Sequence, residues 1–150
     1  MDKREKFQYD RPVVTVGGFI VAQDGDILLV QSHKWSDTYT VPGGKVDHGE
    51  TLEAAYKREV KEETNLDIHD IKFALIIESI SSKEFWKKDA HFIMNDYIGT
   101  LTPECTKSDV ILNDEAQSYI WCKPQEASKI RLSHETNLLL NWYLKYVTKH

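Results

Sequence analysis

The chain has 150 residues, a length that suits one domain whose core is large enough to fold without disulfides or a structural metal. With 41% hydrophobic and 29% charged residues, it has the balance of a globular chain rather than a disordered one. A net charge of −5 argues against a basic surface for long nucleic acid, yet permits a small phosphorylated ligand that arrives with a metal. No apolar run reaches about 18 residues, so no membrane span is predicted, and the charged opening MDKREKFQYD is unlike a secretory signal. Cys105 and Cys122 form neither a CxxC pair nor a framework. They are expected as free thiols in a cytoplasmic protein.

Residues 1–10 read as a solvated lead-in. Val13 to Val21 is β-branched and apolar enough for a buried strand, with Gly17-Gly18 marking a bulge or a close backbone approach. Asp24-Gly25 is a hairpin signal, and Ile27 to Val30 returns as a second strand. Ser32 to Gly49 reads as a loop of functional length and composition, holding Trp35, Tyr39 and Pro42-Gly43-Gly44-Lys45. Thr51 is a predicted N-cap for a helix running to Thr64, and Asn65 suits its left-handed end. Strands are predicted over Ile71–Ser81, His91–Leu101 and Tyr119–Cys122. Pro124 opens a helical turn, and a terminal helix is predicted over Glu135–Val147 with Leu138, Leu139, Trp142 and Tyr146 on one side. Mixed strands and helices without βα alternation predict an α+β fold with a mixed sheet in a single domain.

The helix over 51–64 carries the chemistry. At about 100° per residue, Leu52, Tyr56 and Val60 form an apolar stripe, and Glu63 falls inside it with Glu59 beside it. A solvated acidic face paired to lysines is the ordinary reading of such a helix, but these two acids share the side that packs inward. Carboxylates on a partly buried face either take up protons or need a cation. Glu59, Glu62 and Glu63 crowd one turn, and a hard divalent ion with oxygen ligands, Mg²⁺ or alternatively Mn²⁺, answers their repulsion. The Gly-Gly loop ahead of them lets backbone approach a ligand closely. Together these features predict a metal–phosphate site.

Gly44, then five residues, Glu50, seven residues, and Arg58-Glu59-Val60-Lys61-Glu62-Glu63-Thr64-Asn65-Leu66 resembles the Nudix box, Gly-x5-Glu-x7-Arg-Glu-U-x-Glu-Glu-x-Gly-U, with U aliphatic. Asn65 replaces the second glycine, a mild departure because asparagine tolerates the left-handed conformation. The resemblance implies a Nudix αβα sandwich along most of the chain. It implies Glu59, Glu62 and Glu63 as metal ligands, with the Gly44 carbonyl as a backbone ligand. Arg58 and Glu50 would orient a glutamate rather than touch substrate. Glu115, six residues before Trp121, matches a further glutamate of some members, a ligand or general base, against the plainer reading of a loop acid. The general base is then Glu62 or Glu115, and the catalytic set Glu62, Glu63 and Glu115.

Metal-dependent hydrolysis of a nucleoside diphosphate linked to another group is the activity this resemblance implies. Ser81-Ser82-Lys83-Glu84 lacks the proline or tyrosine that marks some subfamilies, and the short chain favours a (d)NTP cleaved to nucleoside monophosphate and pyrophosphate. A nucleotide-sugar hydrolase, an RNA-decapping enzyme, and a Nudix-fold binding module without catalysis are the alternatives. Trp35 and Tyr39 are candidates for stacking on a base, though Tyr39 equally suits a hydrophobic plug. Lys45 is a candidate substrate contact. Ser133 and His134 are candidates for reading base edges, with helix capping the other role for Ser133. A homodimer is compatible with the sequence, and no segment demands one.

Overall fold

The structure, a computed structural model, describes residues 11–147; the expected lead-in at 1–10 lies outside them. Seven strands form one mixed sheet: β1 Val13–Val21, β2 Ile27–Ser32, β3 Thr38–Thr40, β4 Gly43–Lys45, β5 Ile68–Ile80, β6 His91–Leu101 and β7 Ser118–Cys122. The main path runs β3-β2-β1-β6-β5, with β4 paired to β1 and β7 paired to β2. Among the described strand pairs only β1 and β6 run parallel, and Tyr39 of β3 makes an isolated parallel bridge to Leu132. Helices α1, Leu52–Thr64, and α2, His134–Tyr146, cover opposite faces.

Alternation along the strands divides the core in two. On the α1 side, Val16, Ile20, Leu28, Val30 and Tyr97 pack against Ala55, Tyr56 and Val60. On the α2 side, Phe19, Ile27 and Leu29 meet Leu139, Leu140 and Tyr143. Consecutive residues point to opposite faces of a strand, so each central strand feeds both layers. This is the expected α+β sandwich.

Gly18 shows why the paired glycines are needed. A Cβ there would collide with the Tyr97 backbone on β6, so the close approach expected at this position is real and permits the parallel pairing Gly18↔Tyr97.

Three expectations are corrected. The segment 32–49 is not a continuous loop: β3 and β4 lie inside it, held by pairing to β2 and β1. Strand β5 begins at Ile68 rather than Ile71, because register shifts near Asp70, which has a φ of 50°, let the strand continue past an irregular stretch. The inner face of α2 is rotated from the predicted one. Thr136, Leu139, Leu140 and Tyr143 are buried, whereas Leu138 and Tyr146 are exposed.

Candidate active site

Helix α1 starts where the sequence predicts. The Thr51 hydroxyl accepts from the Ala54 amide, satisfying an amide left free in the first turn. It ends at Asn65, whose φ of 67° is left-handed and whose amide donates to the Lys61 carbonyl. The Asn65 side chain adds a bond that glycine cannot make, donating to the Asp109 carbonyl at 3.1 Å.

Fixed in this way, the helix places its acids unequally. Glu63 is only 7% exposed, and the Glu59 side chain only 14%, while that of Glu62 is 54% exposed. The backbone amide of Gly43 donates to Glu63 at 3.1 Å. The Glu59 and Glu63 carboxyls lie close enough to perturb one another. Burial pushes the Glu63 carboxyl well above the usual carboxylate range, and the neighbouring Glu59 charge pushes it further. Burial also raises Glu59, against the pull of Arg58. Strand β4 lies directly against this pair: a Cβ on Gly44 would sit 2.6 Å from the Glu59 carboxylate. Glycine at this position is a steric requirement of the site.

Arg58 ties the acids together. Its Nε and Nη2 donate to the two oxygens of Glu50 at 2.7 and 2.8 Å, the bidentate geometry that suits guanidinium and carboxylate. Nη1 reaches Glu59 at 3.0 Å and Glu62 at 3.2 Å, and Nη2 also donates to the Lys45 carbonyl at 3.1 Å. The Arg58 hydrogen bonds, with help from the Asp47 amide, hold Glu50 down to about 2. The same glutamates keep the guanidinium protonated. Arg58 is thus spent on orienting carboxylates.

A cavity of about 420 Å³ opens over this cluster, and Gly44, Lys45, Glu59, Glu62, Glu63 and Glu115 all line it. Glu115 enters from the loop before β7, where Lys34 donates to it at 2.9 Å. The site therefore collects Glu115 and Lys34 across 81 residues of sequence, and Lys34 was not legible as part of it. Trp35, Phe85, Phe92 and Met94 also line the cavity, with Asp96 and Glu135. Trp35 packs against Phe85 with ring centroids 4.7 Å apart. Asp96 carried a faint sequence signal, an acid inside the strand-like run Phe92-Ile93-Met94-Asn95-Asp96-Tyr97.

Tyr39 is not among the residues lining the cavity. It packs with the α2-side core, and its backbone bonds to Arg131 and Ser133. Ser133 is the N-cap of α2, accepting from the Thr136 amide, and it also lines the cavity. The His134 amide donates to Glu84.

As the side chains stand, no three His, Cys, Asp or Glu among the described residues converge tightly enough to grip an ion. Glu62 is drawn to Arg58, and burial favours the neutral forms of Glu59 and Glu63. The donor set still fits a hard divalent cation: all three acids offer oxygen, and Glu62 is held by one exposed contact. Ionised together, Glu59 and Glu63 would be two adjacent buried charges needing a counterion.

A family model described as NUDIX domain matches residues 11–143. The chain belongs to the Nudix family. Among curated Nudix relatives, it is 32% identical over 125 residues to nucleoside triphosphatase NudI of Salmonella schwarzengrund, covering 78% of this chain and 86% of that protein. Nudix hydrolase 5 of Arabidopsis thaliana is 31% identical over 84 residues, 53% of this chain. An ADP-ribose pyrophosphatase of Methanocaldococcus jannaschii is 43% identical over 60 residues, 39% of this chain. The matches span only 28% and 35% of the length of these last two relatives. The Nudix fold is shared with a MutT NUDIX hydrolase of Burkholderia pseudomallei, with a TM-score of 0.71 at 24% identity, covering 89% of this chain and 98% of that one. A bifunctional NMN adenylyltransferase/ADP ribose pyrophosphatase of Francisella tularensis, complexed with AMP and Mn ion, has a TM-score of 0.70 at 20% identity, covering 95% of this chain and 44% of that one. No helix among the described residues is long and apolar enough to cross a membrane.

Proposed function

We propose that this Nudix protein is a divalent-metal-dependent hydrolase of a pyrophosphate bond in a nucleoside diphosphate derivative, and that its substrate is a (d)NTP. The products would be nucleoside monophosphate and pyrophosphate: water adds to phosphorus, the bridging P–O bond breaks, and the leaving phosphate oxygen carries the electron pair. The observation that carries this reading is the buried Glu59–Glu63 pair packed directly against Gly44 in the wall of a cavity. The breadth of the match to the triphosphatase relative, 78% of this chain against 39% for the ADP-ribose pyrophosphatase, supports a triphosphate. The partial match to the latter keeps nucleotide sugars and other nucleoside diphosphate derivatives as the second reading.

Glu59, Glu62, Glu63 and the Gly44 carbonyl would hold Mg²⁺, or Mn²⁺ in its place. Such an ion, when bound, supplies charge neutralisation of phosphate oxygens and a lowered pKa for water. Arg58 holds Glu59 and Glu62 in line while Glu50 anchors Arg58. The proton of the attacking water goes to Glu62 or Glu115, whose side chains are about half exposed at the cavity. Lys34 holds one oxygen of Glu115 and leaves the other for the water proton, and a substrate phosphate is a competing partner for that ammonium. Lys45 and Trp35 line the same cavity and are assigned to the phosphates and the base. The two free thiols, Cys105 and Cys122, support a cytoplasmic location.

The test is a panel of (d)NTPs and nucleotide sugars with Mg²⁺ or Mn²⁺, read by product chromatography. Metal-dependent release of nucleoside monophosphate and pyrophosphate is expected. No turnover of any compound with either ion would return the chain to the class of binding modules.

A further inference from the structure

One carboxyl that lines the cavity has no hydrogen-bond partner among the described residues. Asp96 is 6% exposed, it lines the cavity, and among the described residues nothing donates a hydrogen bond to it; burial and the nearby Glu135 are the influences on its carboxyl. Four hydroxyls of this part of the fold donate elsewhere. Ser79 and Ser82 donate to Glu135 at 2.7 and 3.3 Å, Ser133 donates to Thr136 at 2.8 Å, and Thr40 donates to the Val30 carbonyl at 3.3 Å. An unpaired buried carboxyl is costly to any fold, and here solvent or a ligand in the cavity must supply the donor.

The surroundings select a flat ligand. Phe92, Met94 and Asp96 alternate along β6 and so share one face. Opposite Asp96 in the parallel register is Gly17, so no side chain stands beside the carboxyl on the β1 side, while Leu75 of β5 flanks it on the other. Trp35 and Phe92 each pack on Phe85, with centroids 4.7 and 5.0 Å apart. Aromatic faces receive a heterocycle by stacking, and a carboxyl oxygen at the rim accepts from its edge.

We propose that Asp96 reads the nucleobase of the substrate by accepting a hydrogen bond from an exocyclic amino group, so that amino-bearing bases are preferred to their oxo or unsubstituted counterparts. This rests on the triphosphatase reading above and names the group that sets base preference in the same cavity. Asp96 is a specificity residue in contact with substrate; nothing is asked of it in the chemical step.

The experiment compares nucleotides that differ by a single amino group, ATP with ITP, GTP with ITP, and CTP with UTP, at saturating Mg²⁺ in the wild type and in Asp96→Leu, which removes the acceptor at similar volume. For the best amino-bearing substrate, the wild type is expected to favour it over its partner by at least about tenfold in kcat/KM, the scale of a buried hydrogen bond to a carboxyl. D96L should bring that ratio near unity, chiefly by raising KM for the amino-bearing substrate, while turnover of the oxo partner persists. Equal treatment of both members by the wild type overturns the proposal without recourse to any variant, and so does a ratio that survives in folded D96L. Those outcomes leave the hydrolase reading standing. Absence of metal-dependent turnover for every nucleotide overturns both.

Discussion

Arg58 clasps Glu50 through two hydrogen bonds, 2.7 and 2.8 Å long, across a separation of eight residues. The clasp fixes the guanidinium plane from which Glu59 and Glu62 are steered. Lysine keeps the charge but has no fork to repeat this geometry. Arg58→Lys is therefore expected to lower kcat/KM and metal affinity by about 10- to 100-fold, as loss of a ligand-orienting partner does. The far-ultraviolet circular dichroism should be unchanged. Glu50 titrates at about 2, so the clasp stays charged at neutral pH.

Gly44 makes a separate contribution to the site. Its missing Cβ leaves the space that the Glu59 carboxylate occupies. Gly44→Ala should displace Glu59, cutting activity at least about tenfold through misplacement of a positioned group, while the melting temperature changes little. Kinetics and thermal melts on the same sample check this.

Asn65 takes the place of a glycine in the family motif, and its left-handed φ with a bond to the Asp109 carbonyl explains why it is tolerated. Asn65→Gly should be close to neutral, losing the side-chain bond but relieving the backbone. Asn65→Ala is expected to cost about 1–2 kcal/mol, since alanine meets the left-handed penalty without a compensating bond. Urea unfolding of the two variants gives the order directly.

Asp96 links base recognition to stability. Burial, with Glu135 nearby, raises its carboxyl to about 7 from an unfolded value of 3.8. The folded state then binds the extra proton between those values, so stability falls as pH rises from about 4 to about 7 and stays low above it. The greatest loss from this group is about 4 kcal/mol. Asp96→Asn cannot ionise, so it should melt above the wild type at pH 8 and show little difference at pH 4. A wild type and variant that keep the same gap at both pH values would contradict the assignment.

How far the sequence reached is instructive at particular residues. The inward placement of Glu59 and Glu63 was legible because it depends only on helical spacing, and Asn65 because a helix end is a local event. Strands β3 and β4 were not, since three residues carry no periodicity and their pairing comes from β2 and β1. The inner face of α2 was misread because Glu135 and Thr136 are buried through bonds to Ser79 and Ser133, polar partners that no hydrophobic pattern displays. Lys34 beside Glu115 and Asp96 beside Gly17 arise from sheet register and loop placement, long-range facts without a local signature.

Manganese binding followed by electron paramagnetic resonance, without nucleotide, bears most directly on the claim that the α1 glutamates are a cation site. Wild type is compared with Glu59→Gln and Glu63→Gln, both neutral replacements suited to a buried position. The expected result is Mn²⁺ binding by the wild type that weakens at least about tenfold in each variant, with melting temperatures equal to or above the wild-type value. Equal Mn²⁺ affinity in all three folded proteins would contradict it.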